Sequence, residues 1–172
     1  MLCVAALIVG CSPDPDEPTR LPPAETSSPS PVALALPSEA AAETPQGAAA
    51  FARYYFDLVD EGFRTGDAAG VRRVSHPECD GCNNLIAAIE QEPAAGERIE
   101  GGEFSILFAE AAPLQGEDAI VDFRYAVSEL RVLDSDGTVL RSTPAEPEID
   151  GQLRLVRSAD GWIVRGFRNV TT

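Results

Sequence analysis

Four cysteines and a single histidine are the residues in this chain best suited to chemistry. Cys79-Asp80-Gly81-Cys82 is a C-x-x-C, a spacing used by redox dithiols, haem attachment sites, zinc sites and small structural disulfides. A redox dithiol needs a first thiolate of low pKa, placed after a parallel strand at a helix start. Here the preceding element reads as a helix, and Glu78 and Asp80 would raise that pKa. Haem attachment needs His directly after the second Cys, and residue 83 is Asn. A zinc site would need His76 and a fourth ligand that the sequence does not supply. His76-Pro77-Glu78 spells the H-x-E of zinc deaminases, but there the motif and its P-C-x-x-C come from separate elements, and here they overlap. The reading favours a Cys79–Cys82 disulfide that clamps a helix start. Closing so small a loop is worth about 2 kcal/mol, so its role is local geometry.

The other candidates read as structural. His76, ahead of Pro77, is expected in a surface turn, and any His-based general base would have to be this residue. Asp134 and Asp136 imitate the start of a calcium loop, but the Gly and distal Glu of that motif are misplaced, so a hairpin turn explains them. Tyr54, Tyr55 and Trp162 read as core and sheet packing rather than a ligand cage. The sequence has no nucleophile elbow, phosphate loop or paired-carboxylate signature; no metal and no cofactor are expected.

The remaining cysteines lie in an apolar leader. Leu2 to Gly10 carry no charge, and they end in Ile8-Val9-Gly10-Cys11, which resembles a bacterial lipobox. That resemblance implies a signal peptide over residues 1–10 and a diacylglyceryl thioether on Cys11, which becomes the first residue after cleavage. Two acyl chains suffice for stable attachment, at about 0.8 kcal/mol per buried CH₂. The partner so implied is a lipid bilayer, and the expected location is the extracytoplasmic face of the cell membrane. A signal peptide opens with Lys or Arg; Met1-Leu2 has neither, and the reading expects those residues upstream.

Residues 11–43 are expected to be the lipidated cysteine and a tether. From Ser12 to Glu43 the composition turns to Pro, Ser, Glu, Thr and Ala, which cannot bury enough apolar surface to offset the entropy of ordering. As a flexible coil it would reach roughly 30 Å. Its apolar island is Val32 to Leu36. The net charge of the chain is −15, which excludes a nucleic-acid role because nothing could neutralise a phosphate backbone. All 13 basic residues are Arg, a composition of GC-rich genomes such as those of actinobacteria.

Residues 44–172 carry the periodic segments. Thr44-Pro45 reads as an N-cap with proline in the first helical turn, and Phe51, Tyr55, Leu58 and Val59 make one apolar face. Asp67 is expected to cap a short helix through Val74. A third helix is expected from Cys79 to Glu92, with Leu85, Ile86 and Ile89 inward and Pro93 as its stop. After Gly101-Gly102 the period changes to two. Phe104, Ile106 and Phe108 alternate with polar or small residues. A long strand is expected from Asp118 to Leu133, with Val121, Phe123, Tyr125 and Val127 on one face and Asp122 and Arg124 opposite, toward solvent or a partner. Asp134–Gly137 is a turn, and Leu153 to Val170 closes as a hairpin around Asp160-Gly161. The fold class is α+β: three N-terminal helices packed on a curved antiparallel sheet.

This order, with its closing D-G-W-x-V hairpin, resembles the cone-shaped nuclear transport factor two-like superfamily. More narrowly, T-P-Q-G-A-A-A-F-A-R-Y-Y-F-D-L, then G-D, H-P-E-C-D-G-C-N-N-L-I and E-G-G resemble an actinobacterial lipoprotein domain family of unknown function. The resemblance covers about residues 44–170 and implies a fold and a place, with no reaction. Two functions stay open: a non-catalytic module that binds a small ligand or an envelope protein, and an isomerase- or dehydratase-like enzyme with an acid and a base facing each other in the cone. A buried Asp, Glu or His inside the cone would distinguish them.

Overall fold

The computed structural model describes residues 34–91 and 96–170. Among them Pro45–Thr65 forms helix α1, Ala69–Arg73 forms α2 and Asp80–Ile89 forms α3. Thr44 caps α1 as expected: its hydroxyl accepts from Gly47 N at 3.0 Å. Gly66, at φ 73°, ends the helix in the left-handed conformation that glycine adopts without strain. Asp67 holds the next turn through Ala69 N at 2.8 Å, one residue ahead of the helical cap at Ala68. Helix α3 stops at Ile89, short of Glu92, because the apolar period ends there and the following polar residues have no face to bury.

Seven antiparallel strands follow among the described residues: β1 Arg98–Gly101, β2 Phe104–Ala111, β3 Asp118–Val127, β4 Leu130–Leu133, β5 Val139–Thr143, β6 Glu146–Ser158 and β7 Gly161–Asn169. They form a four-stranded sheet ordered β2-β3-β6-β7 and a three-stranded sheet ordered β1-β4-β5. The two orders correspond, so β1/β2, β3/β4 and β5/β6 are three long strands bent where the sheets meet. The expected strand from Asp118 to Leu133 is therefore two strands in two sheets. Its break at Ser128-Glu129 is built by hydrogen bonds: Ser128 Oγ accepts from Gly102 N and Glu103 N, both at 3.0 Å. Gly101, at φ 77°, lies so near Glu129 that a Cβ would stand 1.9 Å from its carbonyl oxygen.

Alternation in β2 fails at one residue. A bulge between Ile106 and Phe108 turns Leu107 and Phe108 to solvent and Ala109 and Ala111 inward, so Phe108 does not share the face of Phe104 and Ile106. In β3 the expected inner face holds, with Val121, Phe123 and Tyr125 buried and Val127 partly so. Helix α1 lies on that face and buries Phe51, Tyr55, Phe56 and Val59.

The expected tether boundary at residue 43 is corrected. Ser38–Ala41 is a 3₁₀ helix whose Ala40 is fully buried in the main core. Leu34 and Leu36 stay exposed, and their segment is held by its backbone: Tyr54 Oη donates to the Leu34 carbonyl at 3.0 Å. Residues 34–43 form a strap over the domain. Periodicity could not show it, because the strap is fastened through carbonyl groups and one small alanine.

Candidate functional site

The Cys79 and Cys82 sulfurs stand 2.08 Å apart, at disulfide distance. Cys79 is the N-cap of α3, and its sulfur accepts from Cys82 N at 3.2 Å. Both residues are buried, at 1% and 0% exposure, so no sulfur is presented to a substrate. Gly81 explains the residue between them: a Cβ there would stand 2.3 Å from the Phe167 carbonyl oxygen. The C-D-G-C turn is thus the point at which α3 is pressed onto β7. Cys11 lies outside the described residues.

The inside of the curved sheet is filled with rings. The Phe56 ring on α1 lies 4.9 Å from that of Phe123, 5.7 Å from Tyr125, 5.9 Å from Phe104 and 6.0 Å from Phe167, centre to centre. Gly151 makes room for this packing, since a Cβ there would stand 2.3 Å from the Phe123 ring. Tyr125 closes the cluster through Oη, which donates to Asn169 Oδ1 at 3.0 Å. Among the described residues no Asp, Glu, His or Arg is buried. An acid–base pair facing across an interior cavity is therefore not what these residues form.

The remaining titratable groups are bound up in local structure. His76 Nδ1 accepts from Glu78 N at 3.2 Å, while its backbone N–H donates to Val164 O at 2.8 Å, so it ties the turn before α3 to β7. Asp134 Oδ1 accepts from Asp136 N and Thr138 N, both at 2.9 Å, which makes the hairpin turn and leaves no calcium loop. No group of three or more metal-ligating side chains occurs among the described residues. Asp60 Oδ1 accepts from Phe104 N at 2.9 Å; partial burial raises its pKa, helped by the negative charges of Asp57 and Glu103. Tyr55 is fully buried, and its hydroxyl has no hydrogen-bond partner. Burial pushes its pKa up to about 12; the nearby Ser75 hydroxyl, which donates to Val71 O at 2.8 Å, acts against the shift without forming a hydrogen bond to the phenol.

The outer face of the four-stranded sheet carries a row of paired polar side chains. Asp122 and Arg124 are exposed there, opposite Phe123 and Tyr125, as strand parity requires. Gln152 Nε2 donates to Asp122 Oδ1 and Arg168 donates to Gln152 Oε1, each at 2.8 Å, a ladder across β3, β6 and β7. Arg124 grips Asp150 at 2.7 Å and holds that carboxyl below its usual pKa. The next cross-strand row is Ile120, Arg154 and Gly166. A groove of about 420 Å³ opens over it, bordered by Pro113, Gln152 and Arg168. The sequence contained no signal for this groove, because it arises from a glycine in an edge strand and from pairing distant in sequence.

Solved structures with a similar backbone path include ActVI-ORFA from Streptomyces coelicolor, at 13% identity and TM-score 0.48, covering 72% of this chain and 96% of that one. The association domain of C. elegans CaMKII matches at 9% identity and TM-score 0.46, covering 73% and 94%. An ntf2-like protein with a cystatin-like fold from Novosphingobium aromaticivorans matches at 14% identity and TM-score 0.45, covering 71% and 77%. No curated protein matches the chain in sequence. The family model that does match describes a family of unknown function, DUF6318, and spans residues 19–168, from within the acidic Pro-rich segment to the last strand. The chain belongs to that family.

Proposed function

We propose that this protein is an extracytoplasmic lipoprotein, held to the cell membrane by an acylated Cys11, whose cone-shaped domain is a non-catalytic binding module. The uncharged leader ending in Ile8-Val9-Gly10-Cys11 supports the anchor, and the acidic Pro-rich residues that follow suit a spacer. The all-Arg basic composition supports an actinobacterial source. One observation carries the binding reading: Phe56, Phe104, Phe123, Tyr125 and Phe167 fill the interior where catalysis would need space and an acid–base pair. A ligand or envelope partner must then meet the outer surface.

The anchor is tested by Cys11→Ser, because only a thiol forms the diacylglyceryl thioether. The wild type is expected in the detergent phase after phase partitioning, and the variant in the aqueous phase. Equal partitioning of the two would end the lipoprotein reading.

A further inference from the structure

We propose that the groove over Gly166, on the outer face of the four-stranded sheet, binds a small amphiphile with a single anionic head, held by Arg154 and Arg168. The proposal rests on the binding-module reading and names its ligand class.

The first support is an imbalance of charge. The chain has 28 acidic residues against 13 arginines, so an arginine readily finds a carboxylate. Arg64 meets Glu61 at 2.6 Å, Arg124 meets Asp150 at 2.7 Å and Arg141 meets Glu97 at 2.9 Å. Around Gly166 this matching is loose. The Arg154 side chain is 62% exposed and pairs with Asp118 only at 4.0 Å, too long for a hydrogen bond. Arg168 donates to a neutral amide, Gln152. Arg165, the extra residue of the bulge beside Gly166, is exposed with no acidic partner among the described residues. Planar guanidinium forks with free donors pair in bidentate fashion with carboxylate or phosphate.

The second support is shape. Gly166 is what opens the groove: a Cβ there would meet Arg154 Cβ at 3.6 Å, an ordinary contact, and the space above is empty. Ile120 is 37% exposed on an inner strand of the sheet, with Pro113 beside it, so an apolar body finds apolar contact next to the arginines. The volume of about 420 Å³ lies within the ordinary range for small-ligand sites. A polyanion does not suit the place, because Asp118 lines the groove and Asp122 sits one hydrogen bond beyond Gln152, and both would repel further charges.

The test uses the full chain carrying Cys11→Ser, titrated calorimetrically with decanoate below its micelle concentration. Decanol and decyltrimethylammonium are the neutral and cationic controls. Decanoate is expected to bind at least about tenfold more tightly than either control, and Arg154→Gln or Arg168→Gln to weaken it about tenfold. Gly166→Leu fills the groove and is expected to abolish binding; should that variant fail to fold, Arg154→Gln decides. Decanoate binding no tighter than decanol overturns the proposal, as does affinity unmoved by these substitutions. Detergent partitioning of the wild type reports on the anchor separately, so the two readings fail by different measurements.

Discussion

The indole Nε1 of Trp162 donates to the Ala42 carbonyl over 3.1 Å, a bond between residues 120 positions apart. It belongs to a clamp. The Arg157 guanidinium lies 4.9 Å from the centre of the Trp162 ring, donates to the Ala41 carbonyl at 3.3 Å and pairs with Glu43. At the far end of the same strap, Tyr54 holds the Leu34 carbonyl. Between these points the strap touches α1 at Gly47, where a Cβ would stand 2.1 Å from the Ala42 oxygen. The glycine of T-P-Q-G and that of C-D-G-C thus do the same work. Each lets a backbone approach that any side chain would block.

A chain beginning at Thr44 is therefore expected to be less stable than one beginning at Pro31. It loses the buried Ala40 and the hydrogen bonds of Trp162, Arg157 and Tyr54, each worth about 1 kcal/mol. In a domain this size the melting temperature should fall by more than about 5 °C. Differential scanning calorimetry of the two chains measures this. Melting temperatures within a degree of each other would show that the strap contributes nothing.

Tyr55 supplies a prediction of opposite sign. Its hydroxyl is buried without a partner, and Phe keeps the packing while removing the unmet donor. Tyr55→Phe is expected to raise stability by about 1 kcal/mol at pH 7. The pH dependence follows from the pKa, raised from 10 in the unfolded chain to about 12 in the fold. Between those values the folded state holds more protons, so stability falls as pH rises, and below pH 10 this loss is absent. Chemical denaturation at pH 8 and pH 11 should show the wild type losing more stability than the variant. A Tyr55→Phe protein that is destabilised at both pH values would mean that the hydroxyl has a partner after all.

Much of this fold is legible in the sequence because its cues are local. Thr44-Pro45, the Phe51–Val59 face, the Asp134 turn and the Asp160-Gly161 hairpin each depend on residues a few positions apart. The sheet was harder for a definite reason. A bulge at Leu107 and the bend at Ser128-Glu129 change strand parity without changing composition, so Phe108 and the Asp118–Leu133 segment read as regular. The strap and the Gly166 groove were not legible, since both are made by contacts across a hundred residues or between neighbouring strands. The C-x-x-C was read from its residue types alone; its Gly81 acquires a reason only with β7 in place.

That reason yields the last prediction. Two features hold the start of α3: the proximity of Cys79 and Cys82, and the close approach of Gly81 to Phe167. If the pair is oxidised in the native protein, alkylation in denaturant before any reductant should label neither cysteine, and both should label after reduction. Labelling of both without reductant would remove the disulfide. The two contributions can also be ranked. Losing so short a cross-link costs about 2 kcal/mol, whereas Gly81→Ala forces backbone apart at a 2.3 Å contact and is expected to cost about 1–3 kcal/mol. Because both act on one junction, the joint loss in Gly81→Ala with both cysteines changed to Ser should be smaller than the two losses added. A double-mutant cycle from urea denaturation reads this directly. Strict additivity would mean that the disulfide and the glycine stabilise different parts of the domain, and that the C-D-G-C turn is not one packing device.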